Sequence, residues 1–402
     1  MSYDVVRIRA DFPSLKSGWA FFDGPGGTQT PVQVIDAITD ALSEPLSNRG
    51  TVTDGERNAD RIVADARSAV ADLVGGNPAG VVFGRSATQL AYDFSRMLAA
   101  AWKPGDEVIV TRLDHDSNVR PWVQAAERAG ATVRWIDFDP NTGELDFDQF
   151  SSVVGEHTKL VAVTAASNLI GTMPPVADIS RLAHEYGALV YVDGVHYTAH
   201  ELVDITALGA DFYTCSPYKF LGPHLGALVA APELLEGLWG DKLLPSTNDV
   251  PERFEFGTLP YEYLAAVTAA VGYLAGLSGS TAATRRERLV ASASALKQHE
   301  ETLFARLEAG VAALAGVTVH SRAKRRTPTM LMTFDGRSAE DAYTYLAQFK
   351  VSAPASNFYA LEASRRLGLG DEGGLRVGLA PYTSEEDIDR LLDGLRGFLA
   401  QP

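Results

Sequence analysis

Cysteine is almost missing from this chain: Cys215 is the only one in 402 residues. A lone cysteine excludes an internal disulfide and leaves a zinc–thiolate centre without its ligands. Basic charge is also short, with 35 Lys and Arg against 51 Asp and Glu and a formal net charge of −16. Such a balance argues against nucleic acid or an anionic membrane surface as the main partner. It does not exclude an anionic ligand, because a local nest of backbone N–H groups can hold a phosphate on an acidic protein. No apolar run reaches the roughly 18 residues of a membrane span. The opening MSYDVVRIRADFPSL has no apolar core of the signal-peptide kind. A reducing cytoplasm is the expected setting.

What is present is an ordinary globular composition, 46% hydrophobic and 21% charged. The length suggests one large and one smaller domain. Between about residues 60 and 232 short apolar runs alternate with amphipathic stretches. The strand candidates are GVVFG (80–84), DEVIVT (106–111), ATVRWIDF (131–138), KLVAVTAAS (159–167), ALVYVD (188–193), ADFYTCS (210–216) and GALVAA (226–231). Several are apolar on both faces, as strands covered on both sides should be. Helical patterns fill 88–101, 118–130 and 176–187. The alternation predicts an α/β fold with a mostly parallel sheet. Residues 241–261 read as an irregular crossing segment, and 285–315 as a long amphipathic helix. Residues 317–402 read as a small α+β unit. The expected division is a segment 1–60 packing on the small domain, a large domain 61–261 and a small C-terminal domain 262–402.

Four stretches carry chemistry. In TCSPYKFLGPHLGALV (214–229) Lys219 follows a buried strand. A lysine at the mouth of a covered sheet is costly unless paired or chemically employed, and a desolvated amine can form a Schiff base with an aldehyde. By itself it could equally be a surface lysine on a strand corner. In ALVYVDGVHYTAH (188–200) Asp193 ends an apolar strand, where open α/β sheets place ligand-binding groups. A buried carboxylate there wants a cation, which a protonated pyridine nitrogen would supply; a plain helix cap is the simpler alternative. His196 and His200 follow, but with no cysteine and one nearby carboxylate no metal site is expected. In VTRLDHDSNVRPW (110–122) His115 and Asn118 lie just after a strand. His115 could stack on an aromatic cofactor and move protons, or merely cap the next helix. In GRSATQL (84–90) a small-residue turn leads into a helix whose first N–H groups could hold a phosphate.

The order GRSATQ, LDHDSN, AASNLIGT, VDGVH, CSPYK, EFGT and LRVGLAPYTS resembles the class V aminotransferases, and within them the branch of cysteine desulfurases and selenocysteine lyases. The resemblance runs from RADFPSL to the C-terminal helix. It implies the fold-type-I pyridoxal phosphate architecture: a large domain with a mixed, mostly parallel sheet, plus a small α+β domain. It implies pyridoxal 5'-phosphate as cofactor, a small amino acid as substrate, and a homodimer with shared active sites. Lys219 would carry the cofactor and move the α-proton, Asp193 would pair with the ring nitrogen, and His115 would stack on the ring. Asn168 and His196 would lie beside the ring; Ala87, Thr88, Ser216 and Tyr218 would hold the phosphate. Thr258 would reach the phosphate across the subunit boundary. Arg376 would grip the substrate carboxylate, with Arg49 crossing the interface towards the substrate.

Three departures bear on the reaction. Desulfurases of this branch commonly have Gln where this chain has His196, and Ser-Gly-His-Lys where it reads Ser216-Pro217-Tyr218-Lys219. Their sulfur-accepting cysteine lies on a loop before the arginine strand, and VSAPASNFYALEAS (351–364) has none. Cys215, four residues before the cofactor lysine, is expected to be a small core residue. The resemblance thus leaves amino transfer, epimerisation and β-elimination of a C–S or C–Se bond open. A persulfide-forming desulfurase and a non-catalytic scaffold are the alternatives. A scaffold has no reason to keep Lys219, Asp193, His115 and Arg376 converging on one cleft.

Overall fold

The computed structural model describes residues 3–401. Among the described residues, thirteen strands follow in chain order. β1 is Ala20–Phe21, β2 Val81–Gly84, β3 Glu107–Thr111, β4 Thr132–Ile136, β5 Thr158–Thr164, β6 Leu189–Asp193, β7 Phe212–Cys215 and β8 Gly226–Ala230. β9 is Val317–Val319, β10 Thr329–Phe334, β11 Val351–Ser352, β12 Ala355–Ser356 and β13 Gly374–Gly378. Seven of them form one sheet in the order β2-β8-β7-β6-β5-β3-β4. Every pairing from β7 to β4 is parallel, and β8 runs antiparallel to both of its neighbours.

This is the α/β fold that the alternation of strands and helices implies. β5, β6 and β7 are buried almost throughout, as sequences apolar on both faces must be. One face packs Ile109, Val161, Val163, Val190 and Val192 against a large apolar core. The opposite face packs Val108, Val110, Leu160, Ala162 and Tyr191 against Leu90, Phe94 and Trp122 of the helices Ala87–Ala99 and Arg120–Ala129. Trp122 is fully buried, and its indole N–H donates to Asn118 Oδ1 at 3.0 Å. The bond removes the desolvation cost that an unpaired N–H would carry.

A second, antiparallel sheet has the order β12-β13-β10-β9. It is covered by the helices Arg285–Ala312, Ala339–Ala347 and Glu385–Leu399. The N-terminal segment joins this unit, since β1 pairs in parallel with β11 and Asp23 bridges to Gly378. Further on, the helices Val32–Ser43 and Asp54–Val74 pack on Tyr261–Gly276. The large core takes in Leu264, Val267 and Val271 of that helix, and Leu289 and Leu296 of the next. From Leu303 onward the long helix serves the second core. The carboxyl ends of β5, β6 and β7 therefore open towards the second sheet, in the crevice where α/β proteins bind ligands.

Candidate active site

The turn after β7 sets the lysine. Pro217–Lys219 forms one turn of 3-10 helix, and Lys219 N–H donates to Ser216 O at 3.0 Å. Thr28 clamps this turn from the N-terminal segment. Its N–H donates to Tyr218 O at 3.0 Å, and its hydroxyl accepts from Leu221 N–H at 2.9 Å. Thr28 thus acts as a brace on the lysine turn. Lys219 is 5% exposed, and burial, with Arg376 nearby, pushes its ammonium down to about 8. That places a neutral, nucleophilic amine within reach near neutral pH.

Lys219 shares a cavity with Ser86, Ala87, Thr88, His115, Ser117, Asn168, Asp193, His196, Ser216 and Tyr218. Nine of the sequence-predicted residues meet here, from five separate strand ends and turns. Asp193 ends β6, and its Oδ1 accepts from Val195 N–H at 2.8 Å. Burial raises its pKa, opposed by that hydrogen bond and by the Lys219 charge. Gly194 follows, where a Cβ would fall 2.0 Å from the Tyr213 ring, so only glycine lets the chain turn there. His115 caps the turn Asp116–Asn118. Ser117 N–H donates to its Nδ1 at 3.1 Å, which leaves the proton of the neutral ring on Nε2. Burial, with the Lys219 and Arg376 charges, pushes His115 down to about 3, so the ring is uncharged at working pH.

The far end of the cavity is built for an anion. Ser86 caps the helix Ala87–Ala99 by accepting from Gln89 N–H, and the first helical N–H groups, at Ala87 and Thr88, have no intrahelical acceptor. β8 passes so close that a Cβ on Gly226 would lie 2.3 Å from Ser86 C. Thr88 and Ser216 line the same cavity. Tyr218 stacks on His224 with ring centroids 4.8 Å apart.

Arg376, Arg49 and Thr258 lie outside this lining. Arg376 is 1% exposed, and its Nη1 donates to Asn168 O at 3.0 Å. It forms an ion pair with Asp23, and the Phe358 ring covers its guanidinium at 3.6 Å. Arg49 pairs with Asp60 and Glu252 at the surface, at 2.8 and 2.7 Å. Thr258 lines a separate groove with Arg85, Phe256 and Tyr263, and its hydroxyl meets Asn48 Oδ1 at 3.4 Å.

Sequence reasoning missed Asp23, Phe358, Ser117 and Asp114. Asp114 is 1% exposed beside His115, holds the Asn118 amide at 2.7 Å, and is pushed by burial up to about 8. The LDHDSN motif contained the clue to it, as an acidic residue at the end of a buried strand. The stretch without cysteine is tied to residues of the site. Phe358 O accepts from Asn168 Nδ2 at 2.9 Å, and Tyr359 O from Asp116 N–H at 2.7 Å. Both aromatic residues are left-handed, with φ of 52° and 58°, a conformation costly for bulky side chains and frequent at working sites. Tyr359 lies over His115, with ring centroids 5.6 Å apart.

The donor set fits pyridoxal phosphate. Asn168 Oδ1 and His196 Nδ1 are buried without a partner, a buried carboxyl and a buried amine face one cavity, and free helix N–H groups lie at one end. A mostly parallel sheet bearing a buried lysine and aspartate at its carboxyl edge is the plan of the fold-type-I pyridoxal phosphate enzymes. Among solved structures, a cysteine desulfurase from Escherichia coli superposes with a TM-score of 0.87, covering 99% of each chain at 24% identity. The sequence model described as aminotransferase class-V matches residues 20–391. An uncharacterized protein of Mycobacterium tuberculosis is 33% identical, over 98% of this chain and 99% of that one. A probable cysteine desulfurase of Pseudomonas aeruginosa is 33% identical, over 95% of each. The chain belongs to the class-V aminotransferase family, whose enzymes use pyridoxal phosphate, and lies on its cysteine desulfurase-like side.

Proposed function

We propose that this chain binds pyridoxal phosphate on Lys219 and acts at the α-carbon of an amino acid without storing sulfur on itself. The convergence of Lys219, Asp193 and His115 in one buried cavity carries the reading. The cofactor, once bound, supplies an electron-poor ring that accepts the electron pair released at the α-carbon. Asp193 would hold a proton on the ring nitrogen, and the neutral His115 would pack beside the ring. The Ala87 and Thr88 N–H groups, with the Thr88 and Ser216 hydroxyls, hold the phosphate at the helix start. Lys219 would anchor the cofactor, and once the substrate amine has taken its place its free amine would take the α-proton and return it. Asn168 and His196, each with one unpartnered buried atom, would lie beside the ring. Arg376 orients the substrate carboxylate after exchanging Asp23 for it.

Persulfide chemistry needs an accessible thiolate. Cys215 is fully buried in β7, and burial pushes its thiol up to about 12. The turn beside the cavity presents Ser356, Asn357 and Tyr359 instead. This favours amino transfer, epimerisation or β-elimination over a persulfide relay. Arg49, Asn48 and Thr258 lie together on the outer face, as expected if they serve the active site of a second copy in a cytoplasmic homodimer.

The purified protein should absorb as a yellow holoenzyme, and borohydride should fix the cofactor to the peptide containing Lys219. A Lys219→Ala protein that still forms a reducible adduct elsewhere contradicts the assignment. With cysteine as substrate, alkylation and peptide mapping should find no persulfide. A persulfide on Cys215, with loss of alanine formation in Cys215→Ser, restores the desulfurase.

A further inference from the structure

His115 follows a buried carboxyl that the proposed chemistry leaves unused. Asp114 lies between the end of β3 and the turn Asp116–Asn118, and it is 1% exposed. Thr111, the last residue of β3, donates its hydroxyl to Asp114 Oδ2, and the same hydroxyl accepts from Leu113 N–H at 3.1 Å. Asn118 Nδ2 donates to Asp114 Oδ1 at 2.7 Å, while Asn118 Oδ1 accepts from the Trp122 indole at 3.0 Å. The carboxyl thus ties β3, the His115 turn and the start of the helix Arg120–Ala129 into one buried net.

β5 stands on its other side. Thr164 lines the cofactor cavity and faces Asp193 in the β5–β6 ladder, and its backbone joins Thr111 and Asn118 in favouring the charged form of Asp114. Burial opposes that form most, and the Asp193 charge adds to the opposition. The adjacent His115 ring is uncharged, and Asp114 makes no ion pair among the described residues. Asp193, by contrast, has the Lys219 charge beside it. Near neutral pH the one negative charge of the two carboxyls therefore sits on Asp193, and Asp114 is pushed up to about 8. Packing alone does not demand a carboxyl here. An asparagine of the same shape would still accept from Asn118 and meet the Thr111 hydroxyl, but it could not change charge.

We propose that Asp114 is a positioning residue of the active site, whose hydrogen bonds fix the His115 turn and whose charge is coupled to that of Asp193 across Thr164. While Asp114 keeps its proton, Asp193 alone is the anion behind the cavity. One negative charge then meets the one positive charge of a protonated pyridine nitrogen. When Asp114 gives its proton to solvent, its charge adds to that of Asp193 and favours positive charge on the cofactor more strongly. The service to the cofactor rests on the pyridoxal phosphate reading, but the coupling of the two carboxyls does not.

Trp122 reports on this net without cofactor, because its indole reaches Asp114 through Asn118. In the full-length apo protein with 15N-labelled tryptophan, its N–H signal is assigned by its loss in Trp122→Phe. The signal should titrate with a midpoint near pH 8 and stand still in Asp114→Asn. Lys219 is pushed into the same range, so the series is repeated on a Lys219→Ala background. Asp193→Asn removes the repelling charge and should lower the midpoint by about one pH unit. Thr111→Val removes a donor to the carboxylate and should raise it, which reads the same titration should Asp114→Asn fail to fold. A Trp122 signal that is flat in the wild type, or that moves alike in Asp114→Asn, overturns the proposal, as does a midpoint indifferent to Asp193→Asn. In the holoenzyme, Asp114→Asn should lower the pH midpoint of the cofactor's absorption band by about half a pH unit or more. It should also lower kcat by about threefold or more, with KM changed less. A wild-type midpoint and kcat overturn the role in the reaction. Should the wild-type protein bind no pyridoxal phosphate, the functional reading fails and the tryptophan titration still decides the coupling.

Discussion

Lys219 and Arg376 are buried cations of the same cleft, yet their surroundings are opposite. Lys219, on the large-sheet side, makes no ion pair among the described residues and faces a cavity of unpartnered polar atoms. Arg376, on the small-sheet side, is held by Asp23, by Asn168 O and by the Phe358 ring. One side is ready for a ligand as folded, and the other is satisfied internally. On the proposed reading a substrate carboxylate would have to compete with Asp23 for Arg376, so preorganisation would belong to the cofactor and rearrangement to the substrate.

The large-sheet side can be broken by removing charge without changing shape. Asp193→Asn should lower turnover by about 100-fold or more, since a buried charged pair contributes about 3 kcal/mol. Activity within about threefold of wild type, measured on holoenzyme of equal cofactor content, would mean that Asp193 does not stabilise the ring's positive nitrogen.

The small-sheet side should respond in the other direction. Asp23→Asn removes the competitor for Arg376 and should lower the substrate's KM by about three- to tenfold, with kcat changed less. It should also lower Tm, because Arg376 loses its counter-charge. An unchanged KM would place Arg376 off the substrate's path and remove the contrast between the two sides.

The pH response of Lys219 sharpens the contrast further. Burial lowers its pKa from 10.5 to about 8. The apo protein should therefore take up pyridoxal phosphate faster as pH rises through about 8, severalfold overall, as the free amine replaces the ammonium. The same shift opposes folding in full below about 8, where the ammonium is buried. That penalty fades as pH rises from about 8 towards 10.5, the ordinary lysine value. A rate of uptake flat across this range would contradict a desolvated lysine. The smallest effect is expected at the thiol. Cys215→Ser should change activity less than about twofold and cost about 1 kcal/mol or more in stability, by burying a hydroxyl in an apolar strand.

Much of the fold was legible because burial on both faces leaves a plain mark. β5 and β6 read as continuous apolar runs, and the sequence boundaries for them differ from the structure by at most three residues. The site residues at strand ends were legible for the same reason. Lys219, Asp193 and His115 each follow an apolar run that has no use for a polar group. Asp114 and Ser117 sat inside a motif already in view, but their neighbours' chemistry drew attention away from them. Asp23 and Phe358 carried no such mark, because each matters only through Arg376, 353 and 18 positions away along the chain. Glu300 was hidden differently. In a long amphipathic helix a glutamate looks solvated until packing shows which face it occupies.

The sequence by itself determined the alternation of strand and helix, the buried lysine and aspartate at the edge of one sheet, and the absence of an accessible thiol. Those follow from local pattern and residue type, which need no partner to be recognised. Only the tertiary structure decided that Arg376 is already paired with Asp23 and that Glu300 is buried against His200. It also decided that Thr258 and Arg49 stand outside the cavity of their own chain. Pairing between distant side chains is set by the packing of two sheets and a helix on one another, and no local stretch of sequence contains that information.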